Sequence, residues 1–139
     1  MIIAIRISGQ VEMRRDFTET LFRMRMRKKY SAVLIKETPA SKPLIQSVRN
    51  FIAYGPIDQK TLEELISKRG KLKDSKSKTK IDAKATAAII MEDGIEKTAL
   101  KPFFRLHPPR KGINSKIHFP KGVLGDNGEK INDLVRRML

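Results

Sequence analysis

The sequence has no cysteine and no tryptophan. Without cysteine there are no disulfides, no thiolate zinc sites and no cysteine nucleophile. Long apolar runs are also missing, since none approaches the ~20 residues a membrane helix needs. The apolar start, Met1 to Ile5, breaks at Arg6 with no basic region before it and no cleavage site after it. It does not read as a signal peptide, and the expected compartment is the cytosol. No repeat recurs at a fixed period. Acidic residues are scarce: 15 Asp and Glu stand against 30 Lys and Arg in 139 residues, a net charge of +15. An excess of that size points to a polyanion, either nucleic acid or an anionic membrane surface. At 40% hydrophobic residues the chain is not a disordered basic tail. Its length suits one domain with a real core.

Catalytic motifs are equally thin. There is no Walker-type loop and no dinucleotide fingerprint. Gly122, Gly125 and Gly128 open a predicted helix, but they lack the Lys-Ser/Thr of a nucleotide loop and a buried strand before it. His107 and His118 have neither cysteine nor clustered carboxylates for company, so no metal site is expected. Glu63 and Glu64 are adjacent on a predicted helix and point to different faces, which does not make a catalytic pair. Glu92-Asp93 reads as a turn or helix cap. No Ser-His-Asp arrangement emerges. The expectation is no catalytic residue, no metal, no cofactor and no small-molecule substrate.

The positive charge is unevenly spread. Residues 1–57 carry 11 basic and 4 acidic side chains, residues 58–100 carry 10 and 8, and residues 101–139 carry 9 and 3. Folding that brought the two ends together would create one basic surface. In the middle, Lys68 to Lys84 has eight basic residues opposed only by Asp74 and Asp82. Its centre, KLKDSKSKTK at 71–80, reads as a solvated loop with nothing to place in a core, or as a basic segment that orders on RNA.

Periodicity supplies the fold. Ile2 to Ile7 reads as a strand buried on both faces with Arg6 at its edge. Met13, Phe17, Leu21 and Met24 form the stripe of an amphipathic helix over about 13–28. Ser31 to Lys36 is a second strand. Ser41 is placed to cap a helix running to about Asn50, with Pro43 in its first turn. Phe51 to Tyr54 is a third strand. The β-α-β-α-β order in fewer than 60 residues suggests a small α+β sandwich. Asp58 caps a third helix, which closes at Lys68-Arg69-Gly70, and Asp82 can cap a fourth through Ala83–Met91. A short helix over about 95–99 follows, then an extended Pro102 to Leu106. His107-Pro108-Pro109-Arg110 cannot be helical. A last helix over about 128–138 carries Ile131, Leu134, Val135 and Met138 on one face.

Two basic constellations stand out. Arg23, Arg25, Arg27, Lys28 and Lys29 interleave with Met24, Met26 and Tyr30 at the end of the first helix, where the macrodipole favours cations and a phosphate partner would relieve their repulsion. Arg105, His107, Arg110 and Lys111 flank the Pro-Pro dipeptide. Lys116, His118 and Lys121 continue the pattern, and Phe119 is placed to stack on a base. Arg49 is a weaker candidate on the second helix, and Arg136-Arg137 suits the last helix's dipole.

These segments have a familiar look. LFRMRMRKKY (21–30) and VLIKETPASKPLIQSVRNFIAYG (33–55) resemble the ribosomal protein L-thirty family of the large subunit, whose eukaryotic branch is called L-seven. LISKRG (65–70), FRLHPPRKG (104–112), HFPKG (118–122) and GEKINDLVRRM (128–138) resemble its archaeal and eukaryotic branch. The chain runs past the point where the bacterial form stops and lacks the long basic N-terminal extension of eukaryotes, so an archaeal form is expected.

The resemblance implies an α+β, ferredoxin-like β-α-β-α-β core over 1–57, with a three-stranded antiparallel sheet backed by two helices. It implies a mostly helical extension over 58–139, with the Lys-rich loop, the Pro-Pro basic loop and a C-terminal helix. It implies a cytoplasmic, structural role in the ribosome. The partners would be large-subunit ribosomal RNA, with 5S ribosomal RNA nearby, and neighbouring large-subunit proteins. The RNA-contact candidates are Arg23, Arg25, Arg27, Lys28, Lys29, Arg49, Arg105, His107, Arg110, Lys111, His118 and Lys121.

Other classes fit less well. An RNA-processing enzyme, or an assembly factor acting on ribosomal RNA, would need a general base or metal ligands. A duplex-DNA reader would need Asn or Gln beside Arg on its recognition helix, and the first helix has no such amide. Membrane-surface binding would compete with the core for the amphipathic stripe.

Overall fold

The apolar run at the start of the chain becomes the central strand. In the computed structural model, which describes residues 1–73, 81–113 and 115–139, β1 (Ile2–Arg6) runs antiparallel to β2 (Ser31–Ile35) on one side and β3 (Ile52–Pro56) on the other. Ile3, Ala4, Ile5 and Ile7 are all fully buried. Side chains alternate across a strand, so such burial needs cover on both faces. On one face Ala4 packs with Leu21, Met26, Ile45 and Val48, supplied by α1 (Arg15–Arg23), α2 (Ser41–Ser47) and the turns after them. On the other face Ile3, Ile5 and Ile7 meet Leu62, Ile90 and Val135 from α3 (Gln59–Arg69), α4 (Ala83–Asp93) and α5 (Ile131–Met138). Each of those isoleucines contributes about 1.5–3 kcal/mol by leaving water.

The architecture is α+β, but the sheet is not the three-stranded antiparallel one expected. It has five strands in the order β4-β2-β1-β3-β5 and is mixed. β4 (Phe104–Arg105) pairs antiparallel with β2, and β5 (Gly125–Asp126) pairs parallel with β3. The part expected to be mostly helical therefore supplies both edge strands as well as three helices. The physical reason is that β2 and β3 would otherwise leave ladder N–H and C=O groups unpaired. A two-residue strand leaves no alternation for a sequence to display.

The first helix is shorter than its stripe suggests. It ends at Arg23, and Arg25 turns to the left-handed region with φ 61°. The Arg25 N–H donates to the Phe22 carbonyl at 2.9 Å and the Met26 N–H to the Leu21 carbonyl at 2.8 Å. That pairing is a Schellman closure, and it returns Met26 to the core beside Leu21. Arg25, Arg27, Lys28 and Lys29 consequently lie on a loop, not on a helix face.

Smaller differences have equally local causes. Ser41 is the first residue of α2, not its cap, because its hydroxyl is engaged with Thr38, accepting from the Thr38 N–H at 3.0 Å. Asp58, expected to cap α3, holds its N-cap position, but its side chain accepts no capping hydrogen bond, whereas Asp82 does cap α4, accepting from the N–H groups of Lys84 and Ala85. Ile95–Lys97 and Gly128–Lys130 are single 3-10 turns, the second leading into α5. Of the Lys-rich stretch at 71–80, residues 74–80 lie outside the described residues. Leu72, expected in solvent, instead bridges Leu100 and packs against the core.

Candidate nucleic-acid interface

The strand register gathers the candidate residues. β1 finishes at Arg6, opposite Ile52. At that same end of the sheet β2 and β3 begin, β4 finishes with Arg105 opposite Ser31, and β5 begins. The α1–β2 loop, the turn before β3, the segment leaving β4 and the loop entering β5 therefore all open on one end. They carry, in turn, Arg23 to Lys29, Arg49, the Arg105 to Lys111 group, and His118 with Lys121.

Five of these residues share one basin. Arg23, Arg25, Arg27, Lys28 and Arg105 line a concavity of about 510 Å³ with Phe22, Ser31 and Phe103. No carboxylate is among its walls. Arg105 arrives there only because β4 pairs with β2, so the two basic ends of the sequence do meet. The Arg27 guanidinium lies 5.9 Å from the centre of the Phe22 ring, and that of Arg105 lies 6.0 Å from Phe103. Phe22 is 41% exposed. It also borders a second concavity of about 600 Å³, formed with Gly9, Gln10, Arg27, Lys28 and Lys29. The Lys29 ammonium also sits 4.8 Å over Tyr30.

Beneath this loop lies an arginine that the apolar run disguised. Arg6 is fully buried. Its guanidinium donates to four backbone carbonyls, those of Ser8 (3.0 Å), Met26 (2.7 Å), Arg27 (3.0 Å) and Gly9 (3.1 Å). None of the ion pairs among the described residues involves it. Burial draws its pKa below the usual arginine value, yet a guanidinium stays charged. By taking up the carbonyls of Met26 and Arg27, Arg6 turns the loop's negative dipole ends inward and leaves its cationic side chains outward.

The Pro-Pro loop is held by a similar device. The Arg137 guanidinium, on α5, donates to the Arg110 carbonyl at 2.9 and 3.1 Å and to the Gly112 carbonyl at 2.6 Å. The N–H groups of Arg110 and His107 donate back to the carbonyls of Arg137 and Met138. The side chains of His107, Arg110 and Lys111 remain exposed. Lys121 lines a third concavity of about 300 Å³ together with Phe119, Lys130, Arg137 and one carboxylate, Asp133. The Phe119 ring has the Lys130 ammonium 5.5 Å over its face.

His118 and Arg49 stand apart from the main basin. His118 Nε2 is 2.9 Å from the Asn50 Oδ1, which ties the loop entering β5 to the turn before β3. Gly125 (φ 82°) is required there, because a Cβ on it would come within 2.7 Å of the imidazole Nδ1. Arg49 is exposed beside Asn50 in that turn.

Sequence reasoning missed four participants. Arg6 looked like a strand edge and Arg137 like a dipole partner. Lys130 drew no notice. Phe22 carried the one signal available: it is an apolar residue lying off the helix stripe. Among the described residues no three His, Cys, Asp or Glu side chains assemble in a way that could hold a metal ion, and no helix is long and apolar enough to cross a membrane.

Comparison with known proteins bears on this basic end. No protein-family model matches the chain. A curated protein of Archaeoglobus fulgidus, named large ribosomal subunit protein uL30, is 38% identical over 151 residues that span 99% of each chain. The chain belongs to the uL30 family. Other members, from Methanobrevibacter smithii and Pyrobaculum islandicum, are each 36% identical, and the matches cover 100% and 97% of this chain. The similarity spans the uL30 length, so it includes the β4 and β5 segments as well as β1 to β3. It bears out the resemblance carried by 21–30 and 104–112, and the relatives named here are archaeal.

Proposed function

We propose that this uL30-family chain is a structural constituent of the large ribosomal subunit, at work in the cytoplasm, which binds and stabilises folded ribosomal RNA with the basic end of its sheet. The observation that carries the residue-level reading is the basin itself, where five cations from two distant segments converge with no carboxylate among them. Such a surface neutralises phosphates. Its cations come from a helix end, a loop and a strand end, which favours recognition of RNA shape over base sequence. Within this reading, residues 1–57 are the RNA-binding core and residues 58–139 an archaeal and eukaryotic-type extension that completes the basin through Arg105.

The RNA contacts are then Arg23, Arg25, Arg27, Lys28 and Arg105 at the basin, with Lys29, His107, Arg110, Lys111 and Lys121 around it. Arg49 and His118 form a lateral contact in which His118 also has the structural task of holding Asn50. 5S ribosomal RNA and neighbouring large-subunit proteins complete the surroundings, and the protein does no chemistry of its own. No observation favours an RNA-processing role.

Sedimentation of a tagged copy through sucrose at moderate and high salt tests the assignment. Stoichiometric migration with the large subunit that survives high salt is expected. Recovery at the top of the gradient at moderate salt would overturn it.

A further inference from the structure

We infer that Phe22 is the stacking platform for one unpaired nucleotide of the bound RNA, whose flanking phosphates lie in the two basic concavities that the ring borders. The inference rests on the reading that this end of the sheet binds RNA. It starts from an anomaly. Phe22 is 41% exposed, although α1 already fills its core stripe with Phe17 and Leu21. Its ring belongs to neither core cluster.

What the ring does is border two cationic hollows. Phe22, Arg27 and Lys28 line both the basin of about 510 Å³ and the hollow of about 600 Å³. Neither contains an acidic residue. A strand that follows the positive charge from one hollow to the other passes the residues they share, Phe22 among them. The phosphates then fall on the cations, and the base between them meets an aromatic face. A base inside a helix has both faces covered by its neighbours, so only an extruded or single-stranded nucleotide can use the platform. The Arg27 guanidinium, 5.9 Å from the ring centre, is placed beside such a base. Phe103, half-buried with Arg105 at 6.0 Å, forms an apolar wall of the first hollow. Stacking of this kind accepts any base, because every base has a π-face.

The test uses the full chain and two hairpin RNAs that differ only in one bulged nucleotide. Anisotropy titrations at a fixed salt concentration give the ratio of their affinities. The bulged hairpin is expected to bind roughly five- to a hundredfold more tightly. Phe22→Ala should bring the ratio to about one, and Phe22→Tyr, which keeps the π-face, should retain it. A ratio near one for the natural chain, or a ratio that survives Phe22→Ala, would overturn the inference while leaving RNA binding intact. Absence of salt-dependent binding to either hairpin would overturn both this inference and the RNA reading beneath it. A thermal melt of each variant separates these outcomes from a folding defect.

Discussion

The two basic loops are held by the same device in different surroundings. Arg6 and Arg137 each feed one guanidinium to the carbonyls of a cationic loop. Arg6 does so from full burial, and one of its four acceptors, the Met26 carbonyl, is buried with it. Arg137 does so from the surface, where water can replace it. The α1–β2 loop also holds two non-glycine residues in the left-handed region, Arg25 and Tyr30, each at φ 61°. The other loop has Lys111 and Gly112 there, but Pro108 and Pro109 already restrict it. The comparison teaches that a hydrogen-bond pattern does not carry a fixed worth. Burial decides whether losing it leaves polar groups stranded.

The largest predicted effect would break that comparison if it failed. Arg6→Met should cost roughly 3 kcal/mol in chemical denaturation, since it strands the buried Met26 carbonyl and removes three further hydrogen bonds. Arg137→Met should cost only about 1 kcal/mol or less, because its acceptors become hydrated. Equal losses would show that burial is not the deciding variable.

The next prediction separates holding a loop from using it. Replacing Arg25 and Arg27 together by Ala should weaken RNA binding and reduce the slope of log affinity against log salt by about one per lost phosphate contact. An unchanged slope would remove both residues from the interface. Arg25→Gly sharpens the point, because Gly is the usual residue where the Schellman closure turns left-handed. It should raise stability by about 1 kcal/mol while still lowering RNA affinity. A destabilised Arg25→Gly would mean that the arginine side chain supports the fold.

The smallest effect is a reference outside both loops. Burial raises the pKa of Tyr54 above its ordinary 10.0, with the nearby Asp126 adding to the rise. The protonated phenol is thus favoured by the fold. Its contribution is complete below about pH 10 and is lost as pH rises through the raised value. Tyr54→Phe should lose less stability on that alkaline climb, as followed by thermal midpoints.

Much of this was legible in the sequence where a long period existed. Ile2 to Ile7 announced a doubly buried strand, and the Ile131, Leu134, Val135 and Met138 stripe announced α5. Asp82 announced a cap that α4 uses. The failures share a cause: they depend on partners remote in sequence. β4 and β5 are strands only because β2 and β3 have open edges. Arg6 can be buried only because the carbonyls of Met26 and Arg27 fold over it. Arg25 ends α1 early because Met26 finds Leu21. The cations themselves were readable, but their convergence follows from strand direction. Antiparallel pairing places the starts of β2 and β3 beside the end of β1, and no composition profile contains that.

The pairing of Arg105 with Ser31 also sets an order of events. A ribosome making this chain releases Arg23 to Lys28 long before Arg105 exists, and domains take shape from the N-terminal side during synthesis. The half-made chain has the loop's cations but neither the strand that walls the basin nor the second cover for Ile3, Ile5 and Ile7. The whole basin comes into being only with the finished fold, so on the proposed reading the molecule that can grip RNA fully is one whose synthesis is already complete.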